Sequence, residues 1–202
     1  ARTDASSRFG KDHRWGVFWS LGFMWNIKNE AFLKDVEWLT NVQIKLSTGT
    51  SGNSEIPYYD HLALVSGNAN YNDEAGIYPK QSGNKNLSWE QTWANNVGVS
   101  LGFFNRVNLN VDFYHKKTTN ILMLVPQSYA LTGVSSRWDN IGAMMNRGVE
   151  IAIDGDVIRT KDFTWNLSAN VSYNKNKLLE LYNGVEEYVN STTGLKYVVG
   201  HP

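Results

Sequence analysis

The 202-residue chain contains no cysteine. That excludes disulfide frameworks, thiolate metal sites and cysteine nucleophiles together. No apolar run approaches the roughly 20 residues that a membrane-spanning helix requires. Lysine plus arginine and aspartate plus glutamate stand at 19 each, so no long-range field points to nucleic acid or to a polyanionic partner. The opening Ala1-Arg2-Thr3-Asp4 carries no basic-then-apolar leader pattern. Proline is scarce, at four. What is present instead is aromatic: eight Trp, ten Tyr and eight Phe, set among many asparagines and 17 glycines. This mixture suits strands with one wet face and turn-rich connections.

The decisive pattern has period two. From Trp15 to Asn26 the odd positions are Trp15, Val17, Trp19, Leu21, Phe23 and Trp25, and the even positions are mostly small or polar. From Phe163 to Tyr173, Phe163, Trp165, Leu167, Ala169, Val171 and Tyr173 alternate with Thr, Asn and Ser. Only a strand separates successive side chains in this way. Aromatics bracket these strands: Trp15 and Trp25, Phe163 and Tyr173, and in a third strand Trp93 and Phe103, each pair ten residues apart. Ten residues span about 34 Å of strand; tilted by about 40–45° they rise about 25 Å, the height of the apolar band of an outer-membrane barrel. Three more strands are readable over Trp38–Thr48, Val107–His115 and Gly148–Val157, with amides and charges on the second face. Asn95 and Arg147 interrupt the apolar phase, which predicts either that they lie near a membrane interface or that the strand pattern fails locally at those points.

Connections alternate in length. Ile27–Glu37 is compact, with room for one helical turn; Phe104–Arg106 and Ile158–Asp162 are tight. Gly52–Asn86, Pro126–Asn140 and the stretch after Asn174 are long and polar. An up-and-down barrel with short periplasmic turns and long outer loops predicts this order. The expected fold is therefore all-β: about six antiparallel strands of a transmembrane barrel. Six are too few to close, since the smallest such barrels have about eight, so residues 1–202 are expected to be part of a larger barrel. The competing fold is a soluble carbohydrate-binding β-sandwich, which accounts for the Trp, Tyr and Asn but not for equal brackets or alternating links.

Several segments carry a more specific likeness. Arg8-Phe9-Gly10-Lys11 with Arg14-Trp15-Gly16, then Asn29-Glu30-Ala31-Phe32-Leu33-Lys34 and Ser51-Gly52-Asn53, resemble the SusC/RagA-like TonB-dependent outer-membrane transporters. So do Asn86-Leu87-Ser88-Trp89-Glu90, Asn140-Ile141-Gly142 with Asn146-Arg147-Gly148-Val149-Glu150, Thr160-Lys161-Asp162-Phe163-Thr164-Trp165, and Ser172-Tyr173-Asn174-Lys175-Asn176-Lys177, in the family's order. The resemblance implies the later part of a barrel of about 22 strands in the outer membrane of a Gram-negative bacterium, with the plug domain and final strand outside these residues. It also implies contact with outer-membrane lipid, a SusD-like lipoprotein lid, energisation through TonB, and an oligosaccharide or peptide as cargo.

Chemistry-bearing clusters are few. His13, His61, His115 and His201 are far apart and lack metal-ligand spacing. Asp73-Glu74 and Glu186-Glu187 are chain neighbours that point apart, poor acid–base pairs. Asn86, Asn166, Asn170 and Asn190 begin N-x-Ser/Thr triplets; two lie inside the Phe163–Tyr173 strand, where alternation generates them, and none is read as a glycosylation site. Gly98 and Gly102 sit in strands, not in a phosphate loop. No nucleophile with a base is found, so no enzyme activity and no cofactor is expected. The candidate substrate-binding residues are Tyr58, Tyr59, Arg137 and Trp138, in loops that combine stacking faces with hydrogen-bonding groups. The plainer reading, that these aromatics pack the loops or contact a lid, is preferred on sequence grounds.

Overall fold

The computed structural model describes residues 1–189 and 194–202; the Asn190 triplet lies outside the described residues. In chain order, a short hairpin pairs β1 (Arg2–Ala5) with β2 (Trp15–Phe18). There follow β3 (Ser20–Asn26), β4 (Leu39–Asn53), a loop hairpin of β5 (Leu64–Tyr71) and β6 (Glu74–Gln81), then β7 (Glu90–Phe103) and β8 (Val107–Thr119). A second loop hairpin joins β9 (Leu122–Pro126) to β10 (Ser136–Asn140) and precedes β11 (Ala143–Arg159) and β12 (Thr164–Glu180). Finally β13 (Glu187–Val189) pairs with β14 (Lys196–Val198).

The six long strands form one sheet in the order β3-β4-β7-β8-β11-β12, every pair antiparallel and each strand beside its successor in the meander. Among the described residues no helix is long and apolar enough to cross a membrane. The expected compact link holds a 3-10 turn and α1 (Ala31–Lys34), whose carbonyl end is capped by one ammonium: Lys28 Nζ donates to the carbonyls of Leu33, Lys34 and Val36 at 2.8–3.1 Å.

The strands read over Trp38–Thr48, Val107–His115 and Gly148–Val157 run longer, to Asn53, to Thr119 and over Ala143–Arg159, and two further boundaries differ from the sequence reading. Trp15–Asn26 is not one strand: it breaks at Trp19, where the Trp19 N–H meets the Thr50 hydroxyl at 3.3 Å. The neighbouring Gly49 lets β4 approach so closely that a Cβ there would lie 2.7 Å from the Trp19 carbonyl oxygen. The last strand, in turn, runs on to Glu180 rather than yielding to a loop after Asn174; Asn174, Asn176 and Leu178 keep their partners on β11.

The sheet inverts the burial of a water-soluble domain. Leu21, Phe23, Trp165 and Val171 are each 50–67% exposed, all on the apolar face. A soluble sandwich would cover that face with a second sheet; here it is bare. The buried apolar cluster, Phe9, Ile56 and Leu87, sits instead among the loops.

Register turns the aromatic brackets into a measurement. Trp25 pairs with Ile44 and Ile44 with Val99, yet the third bracket ends at Phe103, four residues further along β7. Phe103 connects through Val107 and Gly155 to Leu167, and the last bracket ends at Phe163, four residues further again. Eight residues over five strand intervals is about 1.6 residues per strand, or about 5.4 Å of slip against a spacing of about 4.8 Å. A level band under that slip needs strands inclined by about 48°, close to the roughly 45° of outer-membrane strands. Asn95 and Arg147 share one register row, Thr48–Asn95–His115–Arg147–Lys175, with His115 between them, toward the long-loop end of the band.

Candidate functional site

The second face of the sheet is predominantly polar, because the same alternation that sends Val97, Phe113 and Tyr173 outward sends Asn96, Asp112, Tyr114, Asn174 and their neighbours inward. An open depression of about 510 Å³ on this face is lined by Asn96, Asp112, Tyr114, Lys116, Asn146, Glu150 and Asn174. The polar groups are cross-braced. Ser100 Oγ donates to Asn110 Oδ1 at 2.6 Å, Asn108 Nδ2 to Asp154 Oδ2 at 2.9 Å, and Asn176 Nδ2 to Asn146 Oδ1 at 2.7 Å.

Glycine extends the reach of two of these side chains. Tyr114, Gly148 and Asn174 share one register row on β8, β11 and β12. With no side chain on the middle strand, Tyr114 lies across it and its hydroxyl donates to Asn174 Oδ1 at 2.9 Å. A Cβ on Gly148 would meet the Tyr114 hydroxyl at 2.6 Å and the Tyr173 carbonyl oxygen at 2.4 Å. Gly98 plays the same part for Asp112, whose carboxylate leans over it toward Lys45.

At the long-loop end a separate module forms from several distant stretches of chain. Trp89 packs edge-on against Phe9 and Phe18, with ring centroids 5.6 and 5.3 Å apart. Asn140 staples the loops: its Nδ2 donates to the carbonyls of Ser88 and Asn120, and its Oδ1 accepts from the Ser88 N–H at 2.7 Å. Asn84 Nδ2 donates to the Trp138 carbonyl and to Asp139 Oδ1, and Glu90 accepts the Leu122 N–H.

The four sequence-derived candidates all fall in this module. Trp138 packs against the Phe9–Ile56–Leu87 cluster and its side chain hydrogen-bonds Asp60, the residue following Tyr59. Burial raises the Asp60 pKa above its ordinary value, while the Trp138 bond and the charge of His61 pull it the other way. Arg137 is committed to Asp139 at 2.8 Å. Tyr58 and Tyr59 are 63% and 64% exposed, but Arg8 covers one face of the Tyr58 ring at 4.9 Å. Tyr59 thus offers the freest stacking surface of the four. The braced polar wall was visible in sequence only as "the second face", since single-sequence alternation does not say which amides pair across strands.

A β-barrel model described as TonB dependent receptor-like matches residues 1–200. The chain belongs to this family. Among its relatives, TonB-dependent receptor SusC of Bacteroides thetaiotaomicron is 37% identical over 195 residues, covering 91% of this chain and 19% of that protein. TonB-dependent receptor P39 of Formosa agariphila is 39% identical over 181 residues, covering 89% of this chain and 17% of that protein. The fold superposes on a chain of the RagAB peptide importer in its closed-closed state with TM-score 0.89 and 38% identity, over 99% of this chain and 22% of that one. The chain spans about a fifth of the length of these relatives. Members of the TonB-dependent receptor family are outer-membrane proteins.

Proposed function

We propose that this chain is a section of the barrel wall of a TonB-energised importer in the outer membrane of a Gram-negative bacterium. In this reading its outer face meets lipid, its braced polar face lines the passage, and its loop module forms part of the outer mouth, where a SusD-like surface lipoprotein sits. The receptor is a transporter and not an enzyme. The cargo is an oligosaccharide or a peptide, and Tyr58, Tyr59, Arg137 and Trp138 are the residues of this segment that would meet it. The single observation that supports this best is the likeness, over 99% of the chain, to a protein described as a peptide importer. A plug and a TonB-contacting segment would come from other parts of the receptor.

The test uses the full-length receptor in its own cells, supplied with labelled oligosaccharide and peptide pools. Uptake of one class that disappears with the receptor, with TonB or with the lipoprotein supports the reading; uptake of both classes that is indifferent to the receptor overturns it. For the loop residues, Tyr59→Ala should weaken cargo binding severalfold while leaving the receptor assembled. Unchanged affinity in Tyr59→Ala and Tyr58→Ala would return these rings to a packing role.

A further inference from the structure

The outer face carries an unbalanced charge pattern at one place. Arg147 stands directly opposite His115 on one side and Lys175 on the other, and one outward step beyond them lie Lys117 and Lys177. Like charges placed directly opposite across strands are destabilising. None of these cations forms an ion pair among the described residues. Glu180, the acidic side chain on this face past Lys177, pairs with neither lysine. Lys117, Arg147 and Lys175 are exposed, and Lys177 is half-buried.

Height explains where the balance comes from. A line from Trp93 to Tyr173, the long-loop ends of two brackets, crosses β8 between His115 and Lys117 and β11 between Val149 and Arg147. Lys117, Arg147, Lys175 and Lys177 therefore all lie just past the apolar band, on the side where headgroups begin. Directly beneath them runs the apolar row Phe113–Val149–Tyr173. A ligand that fits both rows is an amphiphile with phosphate at its head and hydrocarbon below.

We propose that this patch on β8, β11 and β12 is a binding site for the phosphate groups of an outer-leaflet lipid, with its acyl chains lying on Phe113, Val149 and Tyr173. The four cations lower the local potential cost of their own proximity by sharing these phosphates, each contributing a charge-assisted bond. The site rests on the barrel orientation and not on import: a receptor that moved no cargo would still hold the lipid, and loss of lipid would leave the import reading standing.

The test is native mass spectrometry of the full-length receptor in an uncharged detergent, titrated with bis-phosphorylated lipid A and with the same lipid dephosphorylated. The phosphorylated form should bind at least tenfold more tightly. Replacing Lys117, Arg147, Lys175 and Lys177 together by Gln should weaken it by roughly fivefold for each cation removed, whereas exchanging each Lys for Arg and Arg147 for Lys should preserve binding and so show that fold loss is not the cause. Lys45→Gln, on the polar face, should change nothing. Equal binding of the two lipid forms, full binding by the four-Gln variant, or displacement of lipid by inorganic phosphate alone would each overturn the proposal.

Discussion

Two neighbouring residues on β11 discriminate the faces of the wall. The mid-height of the Phe163–Tyr173 bracket falls at Ser168, which pairs with Asp154; corrected for about 1.6 residues of slip per strand, the mid-plane crosses β11 at Ala152 and Ile153. Ile153 points outward and is 45% exposed; Ala152 points to the polar side, between Asn110 and Asn170 and two residues from Glu150. Ile153→Arg places a guanidinium at the bilayer centre and should cost about 2–4 kcal/mol, a factor of roughly 30 to 1,000 in the folding equilibrium. Ala152→Arg enters a hydrated, acid-flanked surface and should stay within about 0.5 kcal/mol of the parent. The assay is guanidinium unfolding of the full-length receptor in zwitterionic liposomes, read by tryptophan fluorescence, with outer-membrane abundance as the cellular counterpart. Equal losses in the two variants, or a larger loss for Ala152→Arg, would refute the assignment of faces and the tilt derived from the brackets.

Three further outcomes follow from the packing. Gly148→Val should destabilise the wall by about 1–3 kcal/mol, since its side chain would displace Tyr114 and press on the Tyr173 carbonyl; the same exchange at Gly67, which has open space around it, should be near neutral in the same unfolding assay. Asn140→Ala removes the side chain that bonds Ser88 and Asn120, and hydrogen exchange over residues 84–89 and 120–142 should accelerate at least tenfold with the six long strands unaffected. Because burial raises the Asp60 pKa above 3.8, the folded loop binds the proton more tightly than the unfolded chain, so its protection should be greatest below that value and fall as pH rises through the raised one. Asp60→Asn, which keeps an acceptor for Trp138, should abolish that pH dependence while keeping the loop protected at pH 7.

The faces and the strand count were legible because side-chain alternation is a local property: Trp165 and Asn166 fall on opposite faces of any strand. Height was legible through the aromatic brackets, and Asn95 and Arg147 were legible as breaks in the apolar phase. The tilt was not, because it depends on which residue of β4 meets Trp25, and pairing partners carry no mark in one sequence. The break at Trp19 was hidden for a similar reason. It arises from the Thr50 hydroxyl, 31 positions away, taking the Trp19 N–H. Trp138 shows the limit for sites. Its segment offers a stacking face beside hydrogen-bonding groups, and the sequence favours packing over cargo contact without naming the partners, which are Phe9, Ile56 and Leu87.

The two faces also divide the work of fixing register. A one-residue slip of β11 would turn Glu150, Asp154 and Asp156 outward into the apolar band, and burying those acids in lipid is costly at every depth short of the interface. That error is excluded by polarity alone. A two-residue slip keeps every side chain on its proper face, so polarity is blind to it. It would, however, displace a strand by about 6.8 Å, carrying Tyr173 or Phe103 off the level line of the aromatic brackets. It would also break the inward pairs Tyr114–Asn174, Asn108–Asp154 and Asn146–Asn176, which tie β8, β11 and β12 at fixed offsets. The amides of the polar face thus act on the fold itself: they set the register that holds the aromatic ends level and keeps Lys117, Arg147, Lys175 and Lys177 together past the long-loop end of the apolar band.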